Sequence, residues 1–208
     1  MNYRILEIRW KDDPQRFNRK ILFSEEGDLE SLGLILLEIL GTQSEHDFMF
    51  ETKITENGKK NQYHGYVPSE WFKDDEALQG DEKYEDVLLK DVHLNPRNVF
   101  TFIYDMSCDY EFEIKVFKRP VTRDSDRLAF VLDGKGEQIW EDDIDALWAF
   151  LGGEKLEEDE MPWDYVPGTV EGFVSGFNVG KADKAIEQAR IEENGFNTAT
   201  GRYIRRKA

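Results

Sequence analysis

The chain has 208 residues, with 44 Asp and Glu against 27 Lys and Arg, so its formal net charge is −17 at pH 7. Hydrophobic residues make up 39% and aromatic residues 13%, which excludes a disordered chain and is enough for a core without disulfides or metals. The excess of acids argues against nonspecific binding to a phosphate backbone, because such binding needs clustered cations.

The first forty residues predict two strands followed by a helix. Apolar and polar residues alternate over residues 2–10, and residues 17–23 read as a second strand after a turn. Asp28 is a good N-cap for the helix that follows, and Gly41 ends it. Because this helix carries apolar residues on several faces, we expect it to lie at the centre of the core.

The middle of the chain predicts three more strands. Residues 47–54 form one, and Glu56-Asn57-Gly58-Lys59 predicts the turn after it. Residues 59–82 are polar and interrupted by proline and glycine. Residues 99–105 and 110–117 are the clearest strands, and the short connection between them predicts a tight hairpin.

The last third of the chain predicts helices over residues 141–151 and 179–194. This order of elements predicts an α+β fold, in which a mixed or largely antiparallel sheet carries a long apolar helix packed on one face and a helical C-terminal region.

Membrane and export signals are missing from the sequence. No apolar run approaches the roughly 18 residues of a membrane helix, and the N-terminal residues contain no signal-peptide core. Cys108 is the only cysteine, so neither an intrachain disulfide nor a cysteine-based zinc site can form. We therefore expect a cytoplasmic protein with no membrane partner.

A helix motif in the chain resembles that of a known family. The motif of the family reads L-x-x-L-H-x-x-I-Q-x-x-M-G-W and is followed by H-L-x-x-F. In this chain, Gly33 replaces the first His of the family motif, and Thr42 replaces its Trp. The matching positions are Leu29, Leu32, Leu36, Leu40, Gly41, His46 and Phe50.

The predicted hairpin gives a stronger match, to the motif Y-D-F-G-D-D-W-E-H-E-I. The retained positions are Tyr104, Asp105, Asp109, Glu111, Glu113 and Ile114. Weaker matches are Phe17 and Arg19, for a W-R-R before the helix, and Trp140-Glu141-Asp142, for a later P-P-E-D-x-G-G. On these residues the chain resembles the Ri-plasmid (pRiA4b) third-open-reading-frame family, over roughly residues 1–150.

The resemblance implies a small α+β domain whose activity is unassigned. It predicts that residues 1–155 form a domain of this type, with an acidic linker, a helix and a basic tail over residues 156–208 packed on the same domain. Members have been labelled as resolvase-like mobile-element proteins. A resolvase needs a nucleophilic serine surrounded by arginines, and the sequence offers no such set.

The hairpin carboxylates Asp105, Asp109, Glu111 and Glu113 are the main candidate binding residues. Carboxylates at alternate strand positions point to the same side, about 6–7 Å apart, so they could hold Mg²⁺ or Ca²⁺. The alternative is a solvated strand face with aspartates that cap the turn, and this alternative is favoured. At the turn itself, we expect Asp105 or Asp109 to accept backbone N–H bonds.

The three histidines form no i,i+4 pair, so no helical metal motif is present. His46 matches a family position and is a further candidate binding residue, for which a hydrogen bond to a loop carbonyl is the simpler role. Cys108 lies between aspartates, which oppose thiolate formation. We therefore predict no catalytic residue, no metal and no cofactor.

Charge is distributed unevenly along the chain. Residues 137–164 carry eleven acids and one lysine, and such a run is either a solvated face or a docking surface for a basic partner. The C-terminal tail carries the cations Arg202, Arg205, Arg206 and Lys207, which could contact nucleic acid or fold back on the acidic body.

Three functional hypotheses follow from these patterns. The favoured one is a noncatalytic binding or adaptor domain with a protein partner. The alternatives are a mobile-element accessory protein that contacts DNA through its basic tail, and an enzyme that uses carboxylates or a metal at the 105–113 hairpin together with His46.

Overall fold

The computed structural model describes residues 1–56, 59–73, 80–157, 160–162, 169–191, 196–197 and 202–203. Its strands are β1 Asn2–Trp10, β2 Asn18–Ser24, β3 Phe48–Glu56, β4 Lys59–Val67, β5 Glu82–Lys83, β6 Val99–Tyr104, β7 Tyr110–Val116, β8 Val121–Thr122, β9 Ala129–Lys135, β10 Phe196–Asn197 and β11 Arg202–Tyr203. Its α-helices are α1 Leu29–Leu40, α2 Ile144–Leu151, α3 Val170–Ser175 and α4 Val179–Ile191. Short 3-10 turns occupy Ser69–Lys73, Tyr84–Asp86 and Leu89–Asp91.

Across the described residues, one sheet of nine strands organises the fold. Eight strands follow the order β5-β4-β3-β6-β7-β1-β2-β9, and β8 pairs with the start of β1. The short pair β4 and β5 is parallel, and the other pairs in this sheet are antiparallel. The predicted α+β class with a mixed, mostly antiparallel sheet is therefore confirmed.

Helix α1 lies against the sheet and is buried on most of its faces. The Asp28 carboxylate accepts the Ser31 N–H at 2.8 Å, and Gly41 ends the helix with a φ of 73°. A glycine adopts this left-handed conformation without the steric cost of a Cβ. The helix has twelve residues, which is an average length for a globular protein. It is apolar, but it is not the long helix that the sequence analysis expects.

The hairpin of β6 and β7 forms the centre of the sheet. Tyr104 pairs with Tyr110 in its register, and both side chains are fully buried. Alternate residues of β7 enter the core because successive side chains of a strand point to opposite faces. The core face of this strand consists of Tyr110, Phe112, Ile114 and Val116, as the sequence predicts.

Strand β4 and helix α2 differ from the sequence prediction. Residues 59–67 form β4, a strand that their polar composition did not predict. Backbone pairing with β3 in a hairpin defines this strand, rather than apolar alternation. The turn predicted between them includes residues 57 and 58, which lie outside the described residues. Helix α2 begins at Ile144, later than predicted, because the Asp143 carboxylate caps it by accepting the Ala146 N–H at 2.8 Å.

Arg19, a family-matched residue, ties several elements together from inside the core. Its guanidinium donates to the carbonyl oxygens of Ile39, Asn18, Lys135 and Glu137 and lies between the rings of Phe17 and Phe177. Burial lowers the pKa of this group well below its usual value. The guanidinium therefore stabilises the join of β2, β9 and the end of α1 by satisfying carbonyls that the core hides from water.

The C-terminal helices pack on the same body. Phe173 of α3 and Ile186 of α4 belong to the buried core, and α4 packs against β9. The Asn178 side chain caps α4 by accepting the Lys181 N–H at 2.8 Å. None of the described helices has the length and apolar character that spanning a membrane requires.

Candidate functional site

Three loops from distant parts of the sequence meet at one end of the sheet. They are the segment after α1, which carries His46, the β6–β7 turn, which begins with Asp105, and the loop before α2, which carries Asp142. The Nε2 atom of His46 lies 2.9 Å from Asp142 Oδ1 and 3.9 Å from Asp105 Oδ2. These residues come from three of the four segments that match the family motifs.

The Asp105 carboxylate is fully buried and acts as an acceptor for both loops. Its Oδ1 accepts from the Ser107 hydroxyl and, at 3.3 Å, from the Cys108 N–H, while its Oδ2 accepts the Asp142 N–H at 3.1 Å. The prediction that a turn carboxylate accepts backbone N–H bonds is confirmed for Asp105. Burial raises the pKa of this carboxyl, but the hydrogen bonds from Ser107, Asp142 and Cys108 outweigh it and hold the pKa below its ordinary value.

Glu141 holds the segment that follows α1. Its two carboxylate oxygens accept the N–H groups of Gln43 at 2.8 Å and Ser44 at 2.9 Å. Burial raises the pKa of this carboxyl and prevails over the hydrogen bonds that act in the opposite direction. Glu141 thus fixes the position of the chain just before His46, where Ser44 adopts a φ of 66°.

A cleft of about 200 Å³ lies between the end of α1 and the loop before α2. Its lining residues are Gly41, Gln43, Glu45, Gln138, Ile139, Trp140, Glu141, Asp142 and Pro162. Glu45 and Asp142 are exposed acids, and the last turn of α1 contains no basic residue. The negative charges of these two acids favour a cation in the cleft.

The structure does not gather the four hairpin carboxylates into one cluster. Asp105 turns inward, whereas Asp109 is exposed at the turn with a φ of 55°. Glu111 forms an ion pair with Lys11, and Glu113 lies 3.9 Å from Arg97 Nη2. These two glutamates lie on the face of β7 opposite the core, so they match the solvated strand face that the sequence favoured.

The remaining predicted site residues fall elsewhere. Burial raises the pKa of the half-buried Cys108 thiol, which disfavours a thiolate nucleophile. Arg202 begins the short strand β11, which pairs with β10. The tail cations Arg205, Arg206 and Lys207 lie outside the described residues.

Comparison with known proteins identifies the family. A sequence model described as "Plasmid pRiA4b ORF-3-like protein" matches residues 3–157. The chain belongs to this plasmid pRiA4b ORF-3-like family. The curated proteins contain no match to the chain.

A solved structure shares the fold of this pRiA4b ORF-3-like chain. It is the crystal structure of MM3350, a protein of unknown function from Methanosarcina mazei Go1, with a TM-score of 0.61 and 15% sequence identity. The similarity covers 80% of this chain and 92% of that one. At this identity it supports the fold alone.

Sequence reasoning missed two residues of the site in this family member. Asp142 lies in a weak match to a family motif, but the sequence does not predict its place next to His46. Glu45 matches no motif that would have marked it as a site residue. Glu141 accepts hydrogen bonds from Gln43 and Ser44, which precede it by 98 and 97 residues in the sequence. These distant segments meet because the loop before α2 packs on the end of α1.

The described residues contain two groups whose side chains could hold a metal ion. One is His46, Asp105 and Asp142, and the other is His64, Glu82 and His93. Within each group the candidate ligand atoms lie within 4.8 Å of one another. In the first group, Asp105 already accepts hydrogen bonds on both oxygens, so fewer of its lone pairs are available for a metal.

Proposed function

We propose that this protein is a noncatalytic binding domain that takes a lysine- or arginine-bearing segment of a protein partner in the cleft between α1 and α2. The observation that carries the proposal is the placement of two exposed acids, Glu45 and Asp142, on the walls of one cleft. The net charge of −17 adds long-range attraction for a basic partner.

The chemical groups at the site support binding rather than catalysis. The buried Asp105 and half-buried Glu141 carboxylates accept the N–H bonds that position the loops, so they already serve a structural purpose. The lowered pKa of Asp105 makes it a weak general base, and the raised pKa of Cys108 makes it a weak nucleophile. The cleft therefore offers fixed negative charge and a rigid frame.

Part of the cleft belongs to the acidic run of residues 137–164. Its wall includes residues 138–142 and Pro162, and a docking surface for a basic partner is one of the two interpretations that the sequence leaves open for this run. The carbonyl of Leu40 at the end of α1 accepts the Ile139 N–H at 3.0 Å, so the two walls are held in register. A rigid cleft loses little conformational freedom when a partner binds.

The test is the binding of a fluorescent lysine-rich peptide, followed by anisotropy over a range of salt concentrations. Glu45→Gln and Asp142→Asn each remove one charge from the cleft and should each weaken binding roughly two- to fivefold, the range of a surface ion pair. Asp124→Asn is the matched control, because this exposed acid follows β8 at the opposite end of the sheet.

Equal losses in all three variants would show that the peptide senses only the net charge, and the proposal would then be wrong. A labelled DNA duplex forms the second arm of the experiment. A shift of the duplex that disappears when residues 202–208 are deleted would instead support the DNA-binding alternative.

The cytoplasmic location that the sequence analysis expects remains a prediction.

A further inference from the structure

Two of the three histidines of the chain meet at the edge of the sheet, away from the cleft. His64 lies in β4, Glu82 in the edge strand β5, and His93 just after the 3-10 turn Leu89–Asp91. The His64 Nε2 atom is 2.7 Å from Glu82 Oε1, and the His93 Nε2 atom is 3.7 Å from the same oxygen. The two imidazole rings are edge to face, with centroids 5.3 Å apart.

We propose that His64, Glu82 and His93 form a binding site for a divalent transition-metal cation of the zinc class. Two imidazole nitrogens and one carboxylate oxygen are a donor set that proteins use for Zn²⁺, with a fourth position left for water or an outside ligand. In a tetrahedral site with bonds of 2.0–2.1 Å, the donor atoms are about 3.3 Å apart. The two separations from the glutamate oxygen, 2.7 and 3.7 Å, lie on either side of this value, and all three ligand atoms lie within 4.8 Å of one another.

The backbone around the three side chains is already fixed. Tyr66, two residues after His64, is buried in the core, pairs with Glu82 in the parallel register of β4 and β5, and accepts the His93 N–H at 2.9 Å through its hydroxyl oxygen. The Gly65 N–H donates to Asp81 Oδ1 at 2.9 Å and joins the same two strands. A metal would therefore bind a largely preformed set of ligands.

Access from solvent is open. The side chain of His93 is 61% exposed and that of Glu82 is 44% exposed, while that of His64 is 15% exposed. An ion can reach the group without any opening of the core. The exposure also means that substitutions of Glu82 and His93 should leave the fold intact.

An ion pair between the same residues is the competing explanation, and it differs in what it predicts. An ion pair needs a protonated imidazole, whereas a metal needs neutral imidazole nitrogens, so metal binding releases protons. The ion pair should give no response to Zn²⁺, and its contribution at a half-exposed position is small.

Zinc binding to the full chain should be measured by calorimetry together with histidine NMR. Because the chain has three histidines, their ring signals can be assigned individually. We expect one Zn²⁺ per chain, with shifts of the His64 and His93 signals and an unchanged His46 signal. At a hundredfold excess over its Kd, the ion should raise the melting temperature by roughly 5–10 °C, and EDTA should reverse the rise.

Variants locate the site and provide the control. His93→Gln and Glu82→Gln should each weaken zinc binding by more than about a hundredfold, because loss of a group that only supports a ligand already costs about 10–100-fold. His46→Gln removes the histidine of the other candidate group and should leave the affinity unchanged. The proposal is overturned if Zn²⁺ shows no saturable binding, or if His46→Gln abolishes the binding while His93→Gln retains it.

Discussion

The backbone N–H of Asp142 donates to the buried Oδ2 of Asp105 across 37 residues of sequence, at 3.1 Å. This bond joins the tight turn of the central hairpin to the loop that precedes α2. Together with the bonds from Glu141 to the segment after α1, it holds three loops in one arrangement around His46. The Asp105 carboxylate thus positions the site, and its loss should be felt first in stability.

Substitutions of Asp105 should separate its hydrogen-bonding role from its backbone conformation. Asp105→Ala removes the acceptor of the part-buried Asp142 N–H and places alanine at a φ of 47°, so it should cost about 2–4 kcal/mol. The Cys108 N–H keeps the Asp105 backbone carbonyl as an acceptor. Asp105→Asn keeps an acceptor oxygen and tolerates this φ, and it should cost about 1 kcal/mol. The measurement is the free energy of unfolding from denaturant titration.

Asp109→Ala is the matched control for Asp105→Ala. Asp109 has a similar φ of 55° in the same turn, but it is exposed, so alanine there should cost about 1–2 kcal/mol for the backbone conformation alone. Equal losses for the two alanine variants would contradict the role assigned to the Asp105 carboxylate.

The pH dependence of stability should differ in sign between Asp105 and Glu141, the two carboxyl groups that hold the loops of the site. Hydrogen bonds depress the pKa of Asp105 in the folded protein, so its stabilising contribution is complete above the ordinary carboxyl pKa of about 4. It is lost as the pH falls through the lower folded pKa. The stability difference between the wild type and Asp105→Asn should therefore shrink from pH 4 downward.

Glu141 should show the opposite trend. Burial raises its pKa in the folded protein, so the folded state binds more protons than the unfolded state between the ordinary pKa and the raised one. Relative to Glu141→Gln, the wild type should gain stability as the pH falls through this window. Denaturant titrations of the wild type and both variants at several pH values test the two trends, and parallel curves would contradict them.

The frame of the fold follows directly from local sequence signals. The cap residues Asp28 and Gly41 mark both ends of α1, and the alternation in β7 assigns its core face, because these signals depend on neighbouring residues. Strand β4 escaped prediction because pairing with β3, rather than apolar periodicity, holds its polar residues in a strand.

The candidate sites depend on contacts that no local signal contains. His64 and His93 are 29 residues apart, and they meet only because β5 pairs with β4 and because Tyr66 anchors the backbone of His93. In the same way, Asp142 reaches His46 only through the loop packing described above. The family motifs identified His46 and Asp105, but the motif residues Glu111 and Glu113 face away from the core.

The pair Tyr104 and Tyr110 allows a direct comparison of two buried hydroxyl groups. The Tyr110 hydroxyl donates to the Trp140 carbonyl at 2.7 Å, whereas the Tyr104 hydroxyl has no hydrogen-bond partner among the described residues. Tyr110→Phe should therefore cost about 1–2 kcal/mol, because it leaves the carbonyl without its donor. Tyr104→Phe should change stability by less than about 0.5 kcal/mol or increase it.

These cross-strand partners are equally buried, so each phenylalanine variant controls for the other. The measurement is again the free energy of unfolding. A loss at Tyr104 as large as the loss at Tyr110 would mean that the Tyr104 hydroxyl makes a bond of similar strength, through water or through a residue outside the described part of the chain.

Gly33, which replaces a histidine of the family motif, should resist substitution by alanine. Alanine is favoured over glycine inside a helix by about 1 kcal/mol, so propensity alone predicts that Gly33→Ala stabilises α1. A Cβ at this position, however, would lie 2.0 Å from the Phe48 ring. Because the ring is buried in the core, overpacking should prevail, and the variant should lose about 1–3 kcal/mol.

A double-mutant cycle with Phe48→Ala tests this explanation. Phe48→Ala alone should cost about 3–5 kcal/mol, because it leaves a cavity beneath α1. In that background the clash is absent, so Gly33→Ala should become neutral or should stabilise the protein by up to about 1 kcal/mol. If Gly33→Ala destabilises both backgrounds equally, Phe48 is not the reason that glycine occupies this position.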